Sequence, residues 1–280
     1  MRFLSNLVNA KKRKKRWVVL TAYDAPTAEI VEQAGVDWIL VGDSLGMVVL
    51  GYPSTAEVTM EEMIHHCKAA RRGAPNAFMI GDMPLKGVEK GPRQALDSAH
   101  RFLDEGRCDA VKVEWGPKAP EIMERLIGAG IPVMGHLGLT PQTASTMGGF
   151  RTQAREAGSA LETLRRAKLL EKLGVFSLIL ECVPADVAKA ITGALKIPVI
   201  GIGAGAHCDG QVLVIHDVVG LFSKFTPRFA KRYCEAGQLI RKAVGRYAAE
   251  VRSGRFPQKK HSFGMDREEL RLFLEQSRGR

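Results

Sequence analysis

The chain has 280 residues, of which 45% are hydrophobic and 25% are charged, as is usual for a globular protein. This length allows a sizeable core, so burial requires neither disulfide bonds nor a partner chain. The five cysteines form no CxxC pair, which favours reduced thiols in a cytoplasmic protein. The sequence has no apolar run long enough to cross a bilayer, so we expect no membrane partner.

The formal net charge is +11, and its densest part is KKRKKR at residues 11–16. This segment suggests an alternative of a different class, a nucleic-acid-binding protein. However, aromatic interleaving, a helix-turn-helix pattern and zinc spacing are all absent, so we expect no nucleic-acid partner. We interpret the segment as the solvated end of a short N-terminal helix. Because the sequence has no acid before Asp24, a mitochondrial transit peptide stays an alternative.

Eight short aliphatic or β-branched segments recur along the chain, separated by helical segments. They are WVVLTAY (17–23), DWILVGD (37–43), AFMIGD (77–82), DAVKVE (109–114), IPVMGH (131–136), FSLILE (176–181), IPVIGIG (197–203) and VLVIHD (212–217). Apolar strands that alternate with helices indicate a parallel sheet covered on both faces. The sequence therefore predicts the α/β class, with a single (β/α)8 TIM barrel over residues 1–280. We place its core at about 15–264 and expect a C-terminal helical appendage beyond it.

Three local patterns refine this interpretation. Thr59 is the expected N-cap of the helix TMEEMIHHCKAARRG, and Gly174 is the expected C-cap of ALETLRRAKLLEKLG, whose apolar face begins at Leu161. GIGAGA (201–206) has the glycine spacing of a dinucleotide site. A helix would have to open on those glycines, and the next strand follows instead. We therefore interpret GIGAGA as a loop at the mouth of the barrel.

Polar side chains end five consecutive strands that are otherwise apolar. They are Asp43, Asp82, Glu114, His136 and Glu181. The carboxyl ends of barrel strands converge on one mouth, where active sites are built. A single acid there could be a helix cap, but five polar residues together predict a metal site with acid and base groups beside it. The first three supply only hard oxygens, which suit Mg²⁺ or Mn²⁺.

Lys112 and Glu114 lie two residues apart in AVKVEWG (110–116), so they point to the same face of one strand. Beside three carboxylates, Lys112 would stay protonated and could pair with a substrate carboxylate or a developing enolate. The alternative is a structural lysine–glutamate pair in a layer of the barrel.

Nearly the whole chain, from about residue 15 to 264, carries motifs of one known family. The motifs are TAYDA, VGDSLGM with GYPST, RRGAPN, GDMP, VKVE, PVMGHLGLTPQT, LECVPA, IPVIGIGAG with CDGQ, and FPQKKHSF. The sequence resembles the ketopantoate hydroxymethyltransferases of pantothenate biosynthesis. GDSLGM alone would indicate only the wider superfamily of magnesium-dependent barrels that act on 2-oxo acids. GHLGLTPQ together with LECVP is much more specific.

The resemblance implies transfer of a hydroxymethyl group from 5,10-methylenetetrahydrofolate to 3-methyl-2-oxobutanoate, giving 2-dehydropantoate. It also implies a homo-oligomer, often a decamer. By position, the family's Mg²⁺ ligands match Asp43, Asp82 and Glu114, and its oxo-acid contacts match Ser44, Asp82 and Lys112. Its histidine near the bound product matches His136, and its proton acceptor matches Glu181. In that chemistry the metal polarises the ketone, the acceptor removes the adjacent proton, and Lys112 and the metal stabilise the enolate.

The chain departs from the family pattern in three places, at residues 85–88, at Trp115 and at residues 151–155. None of them removes a matched metal or base residue, but they leave the residues that bind the folate unassigned. The nearest competing interpretation is a Mg²⁺-dependent lyase or mutase of the same superfamily, acting on a 2-oxo acid or on phosphoenolpyruvate.

Overall fold

Eight parallel strands close into a barrel in a computed structural model that describes residues 2–143 and 151–278. The strands are β1 (Trp17–Thr21), β2 (Trp38–Val41), β3 (Phe78–Asp82), β4 (Ala110–Glu114), β5 (Val133–Gly138), β6 (Ser177–Glu181), β7 (Val199–Ile202) and β8 (Gly210–Leu213). Each strand pairs with the next one in the chain, and β8 closes the barrel by pairing with β1. The predicted (β/α)8 barrel is confirmed.

Ten helices accompany these strands in the described part of residues 2–233. They are α1 (Arg2–Lys12), α2 (Ala25–Gln33), α3 (Leu45–Val48), α4 (Met60–Gly73), α5 (Leu85–Val88), α6 (Pro92–Asp104), α7 (Ala119–Gly128), α8 (Ala157–Leu173), α9 (Ala185–Ala194) and α10 (Ile215–Val218). Short 3₁₀ turns lie at Thr55–Glu57 and Pro141–Thr143. The predicted N-terminal helix is thus present as α1. As expected, no helix separates β7 from β8.

Both predicted helix caps are present. Thr59 and Glu62 form a reciprocal capping box at the start of α4, which satisfies two backbone N–H groups that the helix leaves free. Gly174 ends α8 in the left-handed region, at φ +104°, and its N–H donates to the last turn of the helix. The predicted apolar face of α8 is shorter than expected, because Leu161 is 54% exposed.

The structure moves two predicted strand boundaries. β8 comprises Gly210–Leu213 rather than residues 212–217, because the chain turns into α10 once the Ile215 N–H donates to Thr21 Oγ1 at 2.9 Å. β5 continues to Gly138, so His136 lies inside that strand and not at its end.

The barrel interior changes from apolar to polar along the strand direction. Trp38 packs edge-on against Phe176 with ring centroids 5.8 Å apart, inside a cluster that also contains Ala110 and Ile200. Side chains two apart on β4 share a face, so Lys112 follows Ala110 on the interior side, one layer higher. Burial of the aromatic layer stabilises the fold.

Residues Met1–Tyr233 and Cys234–Arg280 form two compact units. The second unit contains α11 (Ala236–Arg252), a 3₁₀ turn at Lys259–His261 and α12 (Arg267–Ser277). The expected C-terminal helix is thus present, and its last two positions, 279–280, lie outside the described residues. The single domain over residues 1–280 stays a prediction. None of the described helices has the length and apolar character needed to cross a membrane.

Candidate active site

A cavity of about 430 Å³ opens at the carboxyl ends of the strands. All of the predicted site residues line it, namely Asp43, Ser44, Asp82, Lys112, Glu114, His136 and Glu181. Pairing of neighbouring strands explains this, because Asp82 is in register with Lys112, and Glu114 with His136. The juxtaposition that the sequence implied is therefore present, while the roles assigned to these residues stay predictions.

Lys112 lies among carboxylates and is only 4% exposed. Its Nζ donates to Asp82 Oδ1 at 2.6 Å and lies 3.7 Å from Glu114 Oε1. Burial alone would lower the pKa of this lysine, but the charges of Asp82, Glu114 and Asp43 outweigh it and raise the pKa well above its ordinary value. The ammonium group is therefore a permanent positive charge on the floor of the cavity.

Asp43 and Gln142 connect the carboxylates on the other side. The Gln142 side-chain amide donates to Asp43 Oδ2 and to the Met83 carbonyl, both at 2.9 Å, and its backbone N–H donates to Glu114 Oε2 at 3.3 Å. Burial and the neighbouring Asp82 charge raise the pKa of Asp43 well above its usual range, although Lys112 opposes the shift. Gln142 belongs to the LTPQ motif. The sequence did not predict a role for it, because it lies among other polar loop residues.

His136 bridges two acids. Its Nδ1 lies 3.3 Å from Glu114 Oε1, and its Nε2 lies 3.3 Å from Glu181 Oε2. These are ion-pair distances without hydrogen-bond geometry, and both ring nitrogens and Glu114 Oε1 are buried without a hydrogen-bond partner among the described residues. Burial and Lys112 lower the pKa of His136, but the two carboxylates outweigh them and raise it to about 9. The two carboxylates therefore favour the protonated form of this imidazole.

The backbone around Glu181 depends on one glycine. Gly138 has φ +99°, and a Cβ atom there would lie 2.1 Å from the carbonyl oxygen of Glu181. The next residue, Leu139, donates its N–H to the same oxygen at 2.9 Å. Cys182 directly after Glu181 has φ +49°, a region that is uncommon for residues other than glycine. Close contact between β5 and β6 thus fixes where the Glu181 side chain enters the cavity.

The donor set fits a hard divalent cation that keeps part of its water shell. Among residues 2–143 and 151–278, no three histidine, cysteine, aspartate or glutamate side chains enclose a metal by themselves. Mg²⁺ is commonly held by one or two carboxylates, with waters and substrate completing the octahedron. The cavity contains more acidic than basic groups. The acids are Asp43, Asp82, Glu114 and Glu181, and the bases are Lys112 and His136. In addition, Glu114 Oε1 is buried without a hydrogen-bond partner among the described residues. This surplus of negative charge and the free oxygen favour a cation.

The upper cavity wall was missed from the sequence. It is formed by Asp217 and by Phe222, Phe225, Arg228 and Phe229 of the segment that follows α10. Asp217 ended the predicted eighth strand, so the pattern that identified the other five polar residues would have found it. Burial raises the pKa of Asp217, and Arg232 opposes this effect. The aromatic residues carried no such signal, because their spacing is irregular.

One departure from the family pattern has a structural partner. Trp115 stacks against the guanidinium of Arg166, which lies 4.9 Å from the ring centroid. Arg166 Nε in turn donates to Glu162 at 2.9 Å, and the three residues line a second cavity of about 260 Å³. At residues 85–88 the chain forms the helix α5. Within residues 151–155, the Gln153 N–H donates at 2.8 Å to the carbonyl of Cys182, the residue directly after β6.

The basic segment of residues 11–16 is partly structural. Lys11 Nζ lies 2.8 Å from Asp209 Oδ2 and also donates to two backbone carbonyls of the barrel. Lys15 pairs with Asp37, and Arg16 donates to the carbonyl of Cys208. Contacts with the barrel therefore account for three of the six basic residues, Lys11, Lys15 and Arg16, and weaken the basis for the nucleic-acid interpretation.

Solved structures of two enzymes superimpose on this barrel over almost its whole length. A phosphonopyruvate hydrolase solved with oxalate and Mg²⁺ superimposes with a TM-score of 0.60 at 13% identity, covering 98% of this chain and 96% of that one. A 2,3-dimethylmalate lyase of the PEP mutase/isocitrate lyase superfamily superimposes with a TM-score of 0.57 at 14% identity, covering 99% and 94%. At these identities the likeness shows the fold alone.

Sequence comparison identifies the family. The family model described as ketopantoate hydroxymethyltransferase matches residues 2–259. The 3-methyl-2-oxobutanoate hydroxymethyltransferase of Thermus thermophilus is 56% identical over 94% of this chain and 99% of that protein. The enzyme of the same name from Oleidesulfovibrio alaskensis is 52% identical over 97% and 94%. The chain therefore belongs to the ketopantoate hydroxymethyltransferase family.

Proposed function

We propose that this protein is a 3-methyl-2-oxobutanoate hydroxymethyltransferase that uses Mg²⁺ and 5,10-methylenetetrahydrofolate. It would add a hydroxymethyl group to C3 of the oxo acid and form 2-dehydropantoate for pantothenate biosynthesis. Relatives of this name match almost the whole chain. The observation that carries the chemical proposal is the cavity floor, where Lys112 lies among three carboxylates and Glu181 enters from the adjacent wall.

The floor supplies the groups that an oxo acid requires. Asp43, Asp82 and Glu114 are the residues that would hold Mg²⁺, which when bound polarises the ketone and acidifies the C3–H bond. The Lys112 ammonium is charged and buried, so it can pair with an oxygen of the oxo acid and with the negative charge that develops on it. The Ser44 hydroxyl, 2.8 Å from the Tyr23 hydroxyl, is a second contact for the acid.

Glu181 is the proposed proton acceptor. Its carboxylate lines the cavity beside His136, whose protonated form can hold it in place. After Glu181 takes the C3 proton, C3 bonds to the one-carbon unit of the folate. Both carbon–nitrogen bonds that join this unit to the donor, at N5 and at N10, break, and the proton taken from C3 and one proton of water restore the two N–H groups. Water supplies the hydroxyl oxygen in the overall reaction, and tetrahydrofolate leaves. We further expect a homo-oligomer, a decamer by resemblance to the family, in the cytoplasm.

A product assay tests this function. The protein is incubated with 3-methyl-2-oxobutanoate, 5,10-methylenetetrahydrofolate and Mg²⁺, and 2-dehydropantoate is measured by mass spectrometry. We expect product only when all three are present, and we expect Asp82→Asn to lower the rate by roughly 100-fold or more. Asp97→Asn changes an exposed aspartate on α6 and serves as the control. Full activity in excess EDTA would contradict the metal. Folate-independent cleavage of a 2-oxo acid or phosphoenolpyruvate would favour the lyase or mutase alternative.

A further inference from the structure

The upper part of the cavity has no role in the chemistry proposed so far. The oxo acid is small, and the groups that its oxygens require all lie on the floor. Above them, Phe222 and Phe225 form an edge-to-face pair with ring centroids 5.2 Å apart. Phe225 is 50% exposed and Phe229 is 37% exposed, although both line a cavity. Their open ring faces are therefore available to a ligand with a flat apolar surface.

The segment that carries these rings is fixed to the barrel at several points. Phe229 packs so closely on Gly203 that a Cβ atom there would lie 2.7 Å from its ring. The Leu221 N–H donates to the His216 carbonyl at 2.8 Å, and the Tyr233 N–H donates to Val218 at 2.8 Å. The rings therefore belong to a built wall of the cavity.

Asp217 is the polar group of this wall. It is only 7% exposed, it lines the cavity together with Phe222 and Phe225, and the charge of Arg232 acts on it. Its position is fixed, because its N–H donates to the Val214 carbonyl and the preceding Ile215 is bonded to Thr21. A carboxylate in such a largely buried position accepts charge-assisted hydrogen bonds, so a ligand that brings N–H groups suits it.

We propose that Asp217, Phe222 and Phe225 bind the pterin ring of the one-carbon donor. This inference rests on the proposed function, and it assigns the folate site that the sequence left open. A pterin presents a 2-amino group and an adjacent ring N–H in the same fork geometry as a guanidinium, which a carboxylate accepts in a bidentate pair. Its flat bicyclic ring stacks on aromatic side chains. Exposed Arg228 at the cavity rim suits the anionic glutamate tail.

The oxo acid itself is a poor occupant of this wall. It is an anion with no N–H group, so the Asp217 carboxylate would repel it and would gain no hydrogen bond from it. The floor already offers Lys112 to its negative charge. The two ligands are thus assigned to opposite parts of one cavity, and C3 of the acid faces the one-carbon unit between them.

Steady-state kinetics with two matched variants test the inference. With saturating oxo acid and Mg²⁺, Asp217→Asn should raise the KM for 5,10-methylenetetrahydrofolate by roughly 10- to 100-fold, because a charge-assisted bidentate pair is lost. Phe225→Leu should raise it by about 3- to 10-fold. Calorimetry should show the same losses in the binding of tetrahydrofolate, independently of turnover. Asp97→Asn and Phe273→Leu are the controls, since Phe273 is 57% exposed, similar to Phe225.

Folate-free exchange of the oxo-acid C3 proton separates this inference from the proposed function. Exchange needs no donor, so Asp217→Asn should change it by less than about threefold. If Asp217→Asn lowers exchange as much as transfer, the residue acts on the oxo acid and the inference is wrong. Unchanged tetrahydrofolate affinity in Asp217→Asn also overturns the inference. An altered sedimentation coefficient of Phe225→Leu overturns it as well, because it would mean that a second copy of the chain covers the rings. Failure of the wild type to exchange or transfer would instead contradict the proposed function.

Discussion

Replacing Lys112 with methionine should separate its electrostatic role from a purely structural one. The ammonium group lies 2.6 Å from Asp82 and 3.7 Å from Glu114, and its side chain is 5% exposed. Methionine fills a similar volume, so the change mainly removes the charge and leaves buried carboxylates without compensation. Breaking a buried ion pair in this way costs about 3–5 kcal/mol of unfolding free energy. For a chain of this size the Tm should fall by roughly 6 to 20 °C.

The carboxylates that lose Lys112 should then depend more on the metal. In EDTA the variant should show the full loss of Tm, and saturating Mg²⁺ should restore more of it than Mg²⁺ adds to the wild type. Affinity for 3-methyl-2-oxobutanoate, measured by calorimetry with Mg²⁺ present, should fall by roughly 10-fold or more, because a charge-assisted contact is missing.

Lys68→Met is the matched control for this experiment. Lys68 Nζ pairs with Glu105 at 2.9 Å, but the lysine side chain is 44% exposed. Solvent screens such a pair, so its loss should change the unfolding free energy by less than about 1 kcal/mol. The reasoning would be refuted if Lys112→Met melted like this control and bound the oxo acid with wild-type affinity.

Three further variants test individual parts of the account. Gly138→Ala places a Cβ atom where the Glu181 carbonyl lies 2.1 Å away, so urea unfolding should show a loss of roughly 3 kcal/mol or more. An unchanged urea midpoint would contradict the contact. Thr59→Ala removes the capping box of α4 and should cost about 1 kcal/mol while activity per folded molecule stays at the wild-type level. Burial raises the folded-state pKa of Asp217, so its ionisation costs stability at neutral pH and this cost disappears below its unfolded pKa. Asp217→Asn should therefore raise the Tm at pH 7, with a gain that shrinks as the pH falls toward 4. A gain that grew with acidity would show that the sign is wrong.

The sequence predicted the fold because each barrel strand carries a signal of its own. Apolar runs ending at Asp82, Glu114 and Glu181 alternate with helices whose caps, such as Thr59, were also predictable. The end of β8 was misplaced, because residues 212–215 are uniformly apolar and nothing local shows that Ile215 bonds to Thr21. This contact between the start of α10 and the end of β1 is visible only in three dimensions.

The cavity floor was predictable, while the aromatic part of its upper wall was not. Lys112 and Glu114 stood out because charges two apart in an apolar strand must share a buried face. Gln142 links two of the acids, but a single glutamine in a loop carries no periodicity that would assign it. Phe222 and Phe225 line the cavity because their segment is anchored to the barrel, which their spacing in the sequence does not show.

The most direct test of the central claim is the rate at which Glu181→Gln exchanges the C3 proton of 3-methyl-2-oxobutanoate in deuterated water with Mg²⁺. Glutamine keeps the size of the side chain but cannot accept the proton, and neither Mg²⁺ nor the oxo acid depends on Glu181 for binding in this account. Calorimetry of the oxo acid on the same sample should therefore give near wild-type affinity. We expect exchange to fall by roughly 10²- to 10⁴-fold, the usual contribution of a positioned base. Exchange at the wild-type rate would show that Glu181 is not the proton acceptor.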